Sequence, residues 1–352
     1  MTELLFTNDV APALDRIAAA TGARQTFLLA DTNTRTHVLP RLQACSETAA
    51  RATVITTPGG EKHKNLDAAA AIWTELGRSD ATRNSLMVNI GGGIVTDLGG
   101  FAASTFRRGM PFVNIPTTLL AAADASVGGK TGINFNLLKN EIGLFATPEA
   151  VIVSTVFFDT LPAHEILAGY AEMLKHGLLS SADHFNRLLA YQITDHNDNT
   201  LLPLLRDNVA VKERYVTADP LDNGTRHALN LGHTFAHAFE SLAMRRNTRL
   251  SHGYAVAFGI VAALVLSHMK TGFPSDTLHR YAAFVRENYG TFGFTCHDYP
   301  ALLAAMARDK KNDTTQTINF TLLADVGIPL VNQPAPAADI TAALDICRDL
   351  ID

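Results

Sequence analysis

The sequence is poor in cysteine, tryptophan and charged residues. Its 352 residues include three cysteines and one tryptophan, and 18% are Asp, Glu, Lys or Arg. The cysteines, Cys45, Cys296 and Cys347, are widely spaced and odd in number, so they match neither a disulfide framework nor a paired metal site. We therefore expect reduced thiols in the cytoplasm. The hydrophobic content of 47% suffices for a large core, which excludes disordered and fibrous classes.

The sequence also lacks a basic excess and a long apolar run. Asp and Glu number 34 against 29 Lys and Arg, for a net charge of −5, so a basic surface for nucleic acid is not expected. The longest apolar stretch, residues 255–266, has about half the length that spans a bilayer. The N-terminus lacks the basic and apolar regions of an export signal. We predict a cytoplasmic protein with neither a nucleic-acid nor a membrane partner.

Short runs of branched residues recur at βα spacing in the first 155 residues. This spacing predicts a parallel, doubly wound α/β sheet with strands at 26–30, 53–57, 86–90, 112–115 and 151–153. From residue 161 the apolar periods lengthen and predict helices at 162–179, 200–217, 225–243, 253–270, 276–289 and 338–350, with one β-like run at 318–323. We therefore predict a nucleotide-binding α/β domain over 1–160 and a mainly helical domain over 161–352.

A glycine-rich turn follows the third predicted strand and would open a helix. Its amides can approach a pyrophosphate at the positive end of that helix. The spacing differs from GxGxxG, and glycine turns also occur for steric reasons alone, so both interpretations stay open. The turn contains Gly91, Gly92, Gly93, Ile94, Val95, Thr96 and Asp97.

Other predicted loops place polar side chains at the same edge of the sheet. These candidates are Asp31, Asn33, Glu61, Lys64, Thr117 and Thr118. In α/β folds, ligands bind at the carboxyl ends of the strands. Helix capping explains each of these loops taken singly. Their coincidence favours a dinucleotide.

Carboxylate and imidazole side chains recur at helical spacing in the second half. Glu172 and Lys175 are one turn apart, and His233 and His237 are four residues apart, so each pair shares a helix face. His252 begins another predicted helix. One carboxylate with two imidazoles suits Zn²⁺ or a similar divalent ion with an open position. An HxxxH pair is also common on ordinary helix surfaces, so the pattern alone does not decide.

Several basic and amide residues lie in apolar or glycine-rich contexts. They are Lys130, Lys139, Asn140, Lys212, Arg226, Asn230, Lys310 and Lys311. Such groups fit an anionic substrate. Lys311 is explained as an ordinary solvated lysine, and for Lys139 solvation and ligand binding are equally good explanations. Solvation alone does not explain Lys130.

From residue 31 to the Asp-Lys-Lys run at 309, the chain resembles the 3-dehydroquinate synthase family, within the sugar phosphate cyclases. The most specific stretch begins with GGGIVTDLGG and continues through PTTLL, the segment around Asp124 and SVGGKTG; GYAEMLKHG and LNLGHTFAHAFE follow. The family pattern usually has Gly where Thr96 stands, and an acid where Tyr254 follows His252-Gly253.

The resemblance implies roles for individual residues. The metal ligands would be Glu172, His233 and His252. The NAD site would include Asp97, Thr117, Thr118 and Lys130, and we add to it the glycine turn, the other loop residues at that edge and Lys139. The substrate's carboxylate, hydroxyls and phosphate would be held by Lys130, Asn140, Lys175, Lys212, Arg226, Asn230, His237 and Lys310. Asp124 joins these catalytic candidates. His237 is the candidate proton relay, and a buried core histidine is the alternative.

The implied activity converts 3-deoxy-D-arabino-heptulosonate 7-phosphate into 3-dehydroquinate and phosphate, with NAD and Zn²⁺ or Co²⁺. It combines transient oxidation, β-elimination, re-reduction and aldol closure. Arg108 would reach the neighbouring subunit's site in a homodimer, unless it is a solvated arginine.

Other functions fit parts of the pattern. A metal-dependent polyol dehydrogenase and a non-catalytic NAD-binding module share some features, but neither needs the basic cluster. A sedoheptulose 7-phosphate cyclase is a further alternative. Its substrate has no carboxylate, so Lys212, Arg226 and Lys310 favour the acid sugar.

Overall fold

The computed structural model describes residues 2–136, 138–193, 200–307 and 317–351. The described chain divides into two compact units. The first contains residues 2–166 and 200–209, and the second contains 167–193, 210–307 and 317–351. The predicted single boundary at residue 160 assigns residues 200–209 to the second domain, whereas these residues belong to the first unit.

The first unit is organised around a six-stranded sheet in the order β1-β8-β5-β4-β2-β3, and all its strand pairs are parallel. Its strands, with those of a separate hairpin, are β1 (Glu3–Phe6), β2 (Thr26–Asp31), β3 (Thr53–Thr57), β4 (Leu86–Gly91), β5 (Phe112–Pro116), β6 (Lys130–Phe135), β7 (Leu138–Phe145) and β8 (Ala150–Val153). The predicted doubly wound α/β class is confirmed, and the five predicted strands all lie in this sheet.

Helices cover both faces of the sheet. They are α1 (Val10–Thr21), α2 (Thr32–His37), α3 (Leu39–Gln43), α4 (Glu47–Arg51), α5 (Leu66–Arg78) and α6 (Gly93–Thr105). Successive side chains of a strand point to opposite faces. Accordingly, Leu28 and Ala30 of β2 enter one apolar cluster, and Phe27 and Leu29 enter the other. The strands are therefore apolar on both sides, as parallel strands between helix layers usually are.

The strand order places a topological switch point at β2 and β4. The chain passes from β2 to its neighbour β3, then crosses back to β4 on the other side of β2. The connections leaving β2 and β4 therefore diverge and leave a crevice at their carboxyl ends. Asp31 ends β2 and Gly91 ends β4. The fold thus directs the glycine-rich turn to the edge where ligands bind.

Two strand features of the first unit were not predicted. β1 is a four-residue edge strand paired with β8, too short to give a clear periodic signal. β6 and β7 form an antiparallel hairpin in which every residue of β7 except Ile142 is exposed. Such a ribbon buries too little apolar surface to produce a marked alternation in the sequence.

The second unit is mainly helical. Its helices are α7 (Ala163–Leu178) and α9 (Leu201–Ala218), which begin in the first unit, with α8 (Ala182–Ala190), α10 (His233–Arg245), α11 (His252–Thr271), α12 (Ser275–Tyr289), α13 (Tyr299–Ala307) and α14 (Ala337–Ile351). β9 (Ile318–Asp325) and β10 (Ile328–Ala335) form an antiparallel ribbon. The predicted mainly helical second half is confirmed.

The helix predicted at 225–243 is wrong as one element. A 3₁₀ helix over Thr225–Asn230 precedes α10, and Gly232 separates the two at φ +79°. A Cβ at Gly232 would lie 2.6 Å from the Ile260 side chain. Glycine is therefore favoured at this position for two reasons: the backbone is left-handed, and a side chain would come too close to α11.

The central helix of the second unit is α11. It is long and apolar enough to cross a membrane by length and composition, but 78% of its apolar window is buried inside the protein. This burial is that of a core helix. The apolar stretch at 255–266 therefore packs against other helices of its own unit.

Candidate functional site

The glycine turn joins β4 directly to α6. Gly92 is the N-cap of α6, and among the described residues no side chain caps this helix end. A Cβ at Gly91 would lie 2.4 Å from Val95 Cγ2, and one at Gly92 would lie 3.1 Å from Thr118 Cγ2. Close packing therefore explains why these two positions are glycine. The turn also places backbone amides at the positive end of α6, which suits a phosphate.

Lys64 and Asp97 form a nearly buried ion pair at the same edge. The side chain of Lys64 is 4% exposed and that of Asp97 is 20% exposed. The Lys64 ammonium donates to Asp97 Oδ2 and to Asn140 Oδ1. Three segments, the loop after β3, α6 and the β6–β7 hairpin, thus place predicted site residues in contact.

Further hydrogen bonds tie the hairpin to the loop after β3. The Asn134 side chain donates to Glu61 Oε1 at 2.8 Å, and its backbone N–H donates to the Lys64 carbonyl at 2.8 Å. The Asn140 backbone, at φ +52°, donates to Asn134 Oδ1 at 2.9 Å. Glu61, Lys64 and Asn140 therefore belong to one connected polar network.

Helix capping accounts for other residues at this edge. Asp31 Oδ1 accepts from the backbone N–H of Asn33 at 2.9 Å and of Thr34 at 2.8 Å. Thr118 Oγ1 accepts from the Ala121 N–H at 3.2 Å. For Asp31 and Thr118 the structure shows the local role that capping predicts. The Thr96 hydroxyl instead donates to the Gly93 carbonyl at 3.1 Å, a hydrogen bond within α6. Thr117 is buried and Asn33 is exposed.

Three helices of the second unit bring one carboxylate and two imidazoles together. Oε1 of Glu172, on α7, lies 3.5 Å from Nε2 of His233 and 3.5 Å from Nε2 of His252. One ligand atom from each residue lies within 4.8 Å of the other two. A tetrahedral ion with bonds of about 2.0–2.2 Å separates its ligand atoms by about 3.3–3.6 Å. The spacing therefore fits a divalent ion.

The carboxylate in this group is well suited to a cation. Glu172 is fully buried, and its Oε1 accepts no hydrogen bond from the residues that the structure describes. A buried carboxylate oxygen whose nearest partners are two imidazole nitrogens at 3.5 Å, too long for good hydrogen bonds, is costly unless a cation binds it. The donor set, its burial and its spacing all fit Zn²⁺ or a similar ion.

A close contact between two helices positions His252. Gly253, the next residue on α11, faces α7, and a Cβ there would lie 2.0 Å from the Ala168 carbonyl oxygen. Ala168 is one helical turn before Glu172. Only glycine lets the first turn of α11 approach α7 so closely, and this approach brings His252 to Glu172.

Burial and the neighbouring charges of Lys175, Glu172 and Glu240 set the pKa values of this group. Lys175 Nζ lies 2.7 Å from Glu172 Oε2. Burial raises the pKa of Glu172, but Lys175 and His233 outweigh it and hold that pKa well below its usual value. Burial and Lys175 lower the pKa of His233. Burial also lowers the pKa of His252, but the carboxylates of Glu172 and Glu240 outweigh it and raise that pKa.

Glu240 was not predicted as a site residue. Its Oε2 lies 3.5 Å from Nδ1 of His252. A signal was present, because Glu240 follows His233 by seven residues and His237 by three, which places it on the same face of α10.

His237 is exposed, so the buried core histidine alternative is wrong. Its ring centroid lies 5.7 Å from that of His233 and 6.2 Å from that of His252. A solvent-facing imidazole therefore lies beside the two candidate metal-binding rings.

Buried cations lie elsewhere in the second unit. Lys212 is 6% exposed and Arg226 is 3% exposed. Asp219 positions the Arg226 segment, because its carboxylate accepts from the backbone N–H of Asn223, Gly224 and Arg226 at 2.7–3.1 Å. The Arg226 guanidinium donates to the Pro220 carbonyl at 3.0 Å. The loop thus holds a buried guanidinium in one orientation.

The other predicted site residues have varied surroundings. Lys130 and Lys139 are exposed on the hairpin, Asp124 and Asn230 are half-buried, and Arg108 has φ +68°. Lys130 and Asn140 line a cavity of about 300 Å³ along the hairpin. Lys310 lies outside the described residues, as does Lys311.

Family models and curated relatives match most of the chain. The model of the 3-dehydroquinate synthase N-terminal domain matches residues 54–168, and that of the C-terminal domain matches residues 169–312. A 3-dehydroquinate synthase from Parabacteroides distasonis is 46% identical over 323 residues, which cover 92% of this chain and 91% of that protein.

Solved structures share the fold. A 2-epi-5-epi-valiolone synthase from Streptomyces hygroscopicus, with NAD⁺ and Zn²⁺ bound, matches with a TM-score of 0.88 and 24% identity, covering 99% of this chain and 97% of that one. A 2-deoxy-scyllo-inosose synthase complexed with carbaglucose-6-phosphate, NAD⁺ and Co²⁺ matches with a TM-score of 0.82 and 20% identity, covering 98% and 96%. At these identities the likeness shows a common fold.

Proposed function

Because the chain belongs to the 3-dehydroquinate synthase family, we propose that it converts 3-deoxy-D-arabino-heptulosonate 7-phosphate into 3-dehydroquinate and inorganic phosphate. The observation that carries the proposal is the group formed by Glu172, His233 and His252, with Lys175 against the same carboxylate. A cation there and the buried positive charges of Lys212 and Arg226 in the same unit suit a phosphorylated acid sugar.

We assign NAD to the carboxyl edge of the sheet in the first unit. The uncapped amides of α6 would hold the pyrophosphate, and the Lys64–Asp97 pair would fix the adjoining loops. NAD⁺, when bound, supplies a reversible hydride acceptor. The two structural neighbours described with NAD⁺ bound support this assignment.

We assign one divalent ion to Glu172, His233 and His252. Either Zn²⁺ or Co²⁺ suits this donor set, and each occurs in one of the structural neighbours. The ion, when bound, supplies a Lewis acid. Before the ion binds, the lowered pKa values of Glu172 and His233 favour an ionised carboxylate and a neutral imidazole, whereas the raised pKa of His252 means that this ring must release a proton to the solvent on binding.

Cationic and amide side chains bind and orient the substrate in this proposal. Lys175, Lys212 and Arg226 are buried cations that would pair with carboxylate and phosphate oxygens. Asn230, Lys130, Asn140, Asp124 and Lys310 remain candidates for hydroxyl and phosphate contacts, with Lys139 at the cofactor. His237, whose ring reaches solvent, would exchange the proton that moves during elimination.

A substrate comparison tests the proposed activity. Phosphate release should be rapid with 3-deoxy-D-arabino-heptulosonate 7-phosphate and should fall to background with sedoheptulose 7-phosphate, because only the acid sugar offers a carboxylate to the buried cations. Equal or preferential release from sedoheptulose 7-phosphate would assign the chain to the other cyclase activity.

We further propose a cytoplasmic homodimer in which Arg108 enters the neighbouring subunit's substrate site. Support comes from the backbone, since Arg107 and Arg108 both have positive φ, at +49° and +68°, and such strain often accompanies function.

A mixing experiment tests the shared site. Arg108→Ala and His233→Ala should each be inactive. Re-associated in equal amounts, they should recover about a quarter of wild-type activity, because about half of the dimers are hybrids with one intact site. No recovery despite confirmed hybrid formation would make Arg108 a local residue.

A further inference from the structure

Both candidate metal-binding histidines direct Nδ1 towards an oxygen atom. Nδ1 of His233 lies 3.2 Å from the Leu231 carbonyl oxygen. Nδ1 of His252 lies 3.5 Å from Oε2 of Glu240. In both residues Nε2 is the nitrogen that faces Glu172. A neutral imidazole that binds a metal through Nε2 carries its proton on Nδ1, so each ring has an acceptor on the required side.

We propose that Glu240 is a positioning residue that accepts the Nδ1–H of His252 and thereby fixes its tautomer and ring orientation for metal binding. The inference rests on the proposed function, because it requires an ion at Glu172, His233 and His252. Carboxylates that accept from a ligating histidine orient the ring and raise its basicity. Glu240 acts through His252 and is not itself a ligand.

The packing of α10 against α11 holds Glu240 at this distance. Gly259 of α11 faces α10, and a Cβ there would lie 2.4 Å from the Gly232 carbonyl and 2.8 Å from the Ala236 backbone nitrogen. The two helices therefore touch backbone to backbone beside the site. The Glu240 side chain, 12% exposed, has little freedom to turn away from His252.

The charge balance of the site also favours an acidic residue at position 240. Lys175 contacts Glu172 and neutralises part of the negative charge that would attract a divalent ion. Glu240 restores a negative charge on the other side of His252. Residue 254 cannot do so, because it is a tyrosine whose ring lies edge-on to Tyr289 at a centroid distance of 5.1 Å.

Zn²⁺ titration of the metal-stripped protein against a chromogenic chelator tests the proposal without measuring catalysis. Glu240→Ala should bind Zn²⁺ about 10- to 100-fold more weakly than the wild type. Glu240→Gln should lose less affinity, because its amide oxygen still accepts a hydrogen bond. Glu287→Gln, a change of an exposed acid on α12, should bind as the wild type does. If Glu240→Ala does not fold, the loss in Glu240→Gln decides.

A spectrum of ¹⁵N-histidine-labelled protein gives a second readout. In the Zn²⁺-loaded wild type, His252 should show a protonated Nδ1 and a metal-bound Nε2, and the Nδ1–H signal should broaden or vanish by solvent exchange in Glu240→Ala. A purely structural role of Glu240 would change stability without changing this signal.

The outcomes separate this inference from the proposed function. If His233→Ala binds Zn²⁺ as tightly as the wild type, the metal site itself is wrong. If affinity depends on His233 but is equal in the wild type and both Glu240 variants, only the positioning role is overturned. Because His237, Glu240 and His252 also form a compact donor group, a stoichiometry of two ions that falls to one in Glu240→Gln would make Glu240 a ligand and overturn the inference too.

Discussion

The proposed nucleotide-binding edge of the first unit and the proposed metal-binding group of the second unit are built in different ways. At the edge, backbone amides at the start of α6 and loops after parallel strands would provide the contacts. The metal-binding group depends on single side chains from α7, α10 and α11, which are distant in sequence. The first kind of site follows from sheet topology. The second depends on close helix packing, which small changes can disrupt.

The largest expected effect is the loss of a metal ligand. His233→Ala should lose bound metal and fall to background activity, because it removes one of three ligands. NAD⁺ affinity should remain near that of the wild type, since the NAD edge belongs to the first unit. Metal analysis, phosphate release and NAD⁺ titration measure the three properties. His279→Ala, at an exposed position on α12, is the matched control, and retained metal in His233→Ala would remove this residue from the site.

The reverse pattern is expected for the ion pair of the first unit. Lys64→Ala leaves Asp97 without its ammonium partner, and breaking a largely buried pair costs about 3 kcal/mol of unfolding free energy. NAD⁺ should also bind more weakly, while Zn²⁺ affinity stays unchanged. Urea unfolding and separate ligand titrations measure these effects, with Lys62→Ala at a neighbouring exposed position as control. Parallel losses of both affinities would show that the two regions are not independent.

A smaller effect is expected where α11 meets α7. Gly253→Ala places a Cβ 2.0 Å from the Ala168 carbonyl unless the helices move apart, and such overpacking costs about 1–3 kcal/mol. The shift should also weaken Zn²⁺ binding through His252. In contrast, Gly77→Ala on α5, with no atom within 4 Å of the added Cβ, should stabilise the protein by about 0.4–1 kcal/mol. If the unfolding free energy changes alike in both variants, close packing of α11 against α7 is not what determines the position of His252.

The sequence predicts the regular parts of this molecule well and the irregular parts poorly. Five of the six strands of the parallel sheet, all but β1, and the long helices follow from runs of apolar residues. β1, the β6–β7 hairpin and the break at Gly232 do not, because they depend on pairing and packing with distant residues.

The same division holds within the candidate site. The positions of Glu172, Lys175 and His233 on helix faces follow from spacing, but spacing does not show that α7 and α10 meet. Lys64 could be selected only as one polar loop residue among several, and its burial against Asp97 required the folded structure. Asp31 and Thr118 show the converse, since local capping explains the hydrogen bonds that the structure gives them.

The most direct test of the central claim follows phosphate and NADH together in one reaction. The protein, freed of metal and nucleotide, is given 3-deoxy-D-arabino-heptulosonate 7-phosphate, and Zn²⁺ and NAD⁺ are added singly and together. We predict that phosphate release requires both, and that no net NADH accumulates, because the conversion has no net oxidation. Full activity without metal, or NADH formed in step with product, would contradict the account and indicate a dehydrogenase.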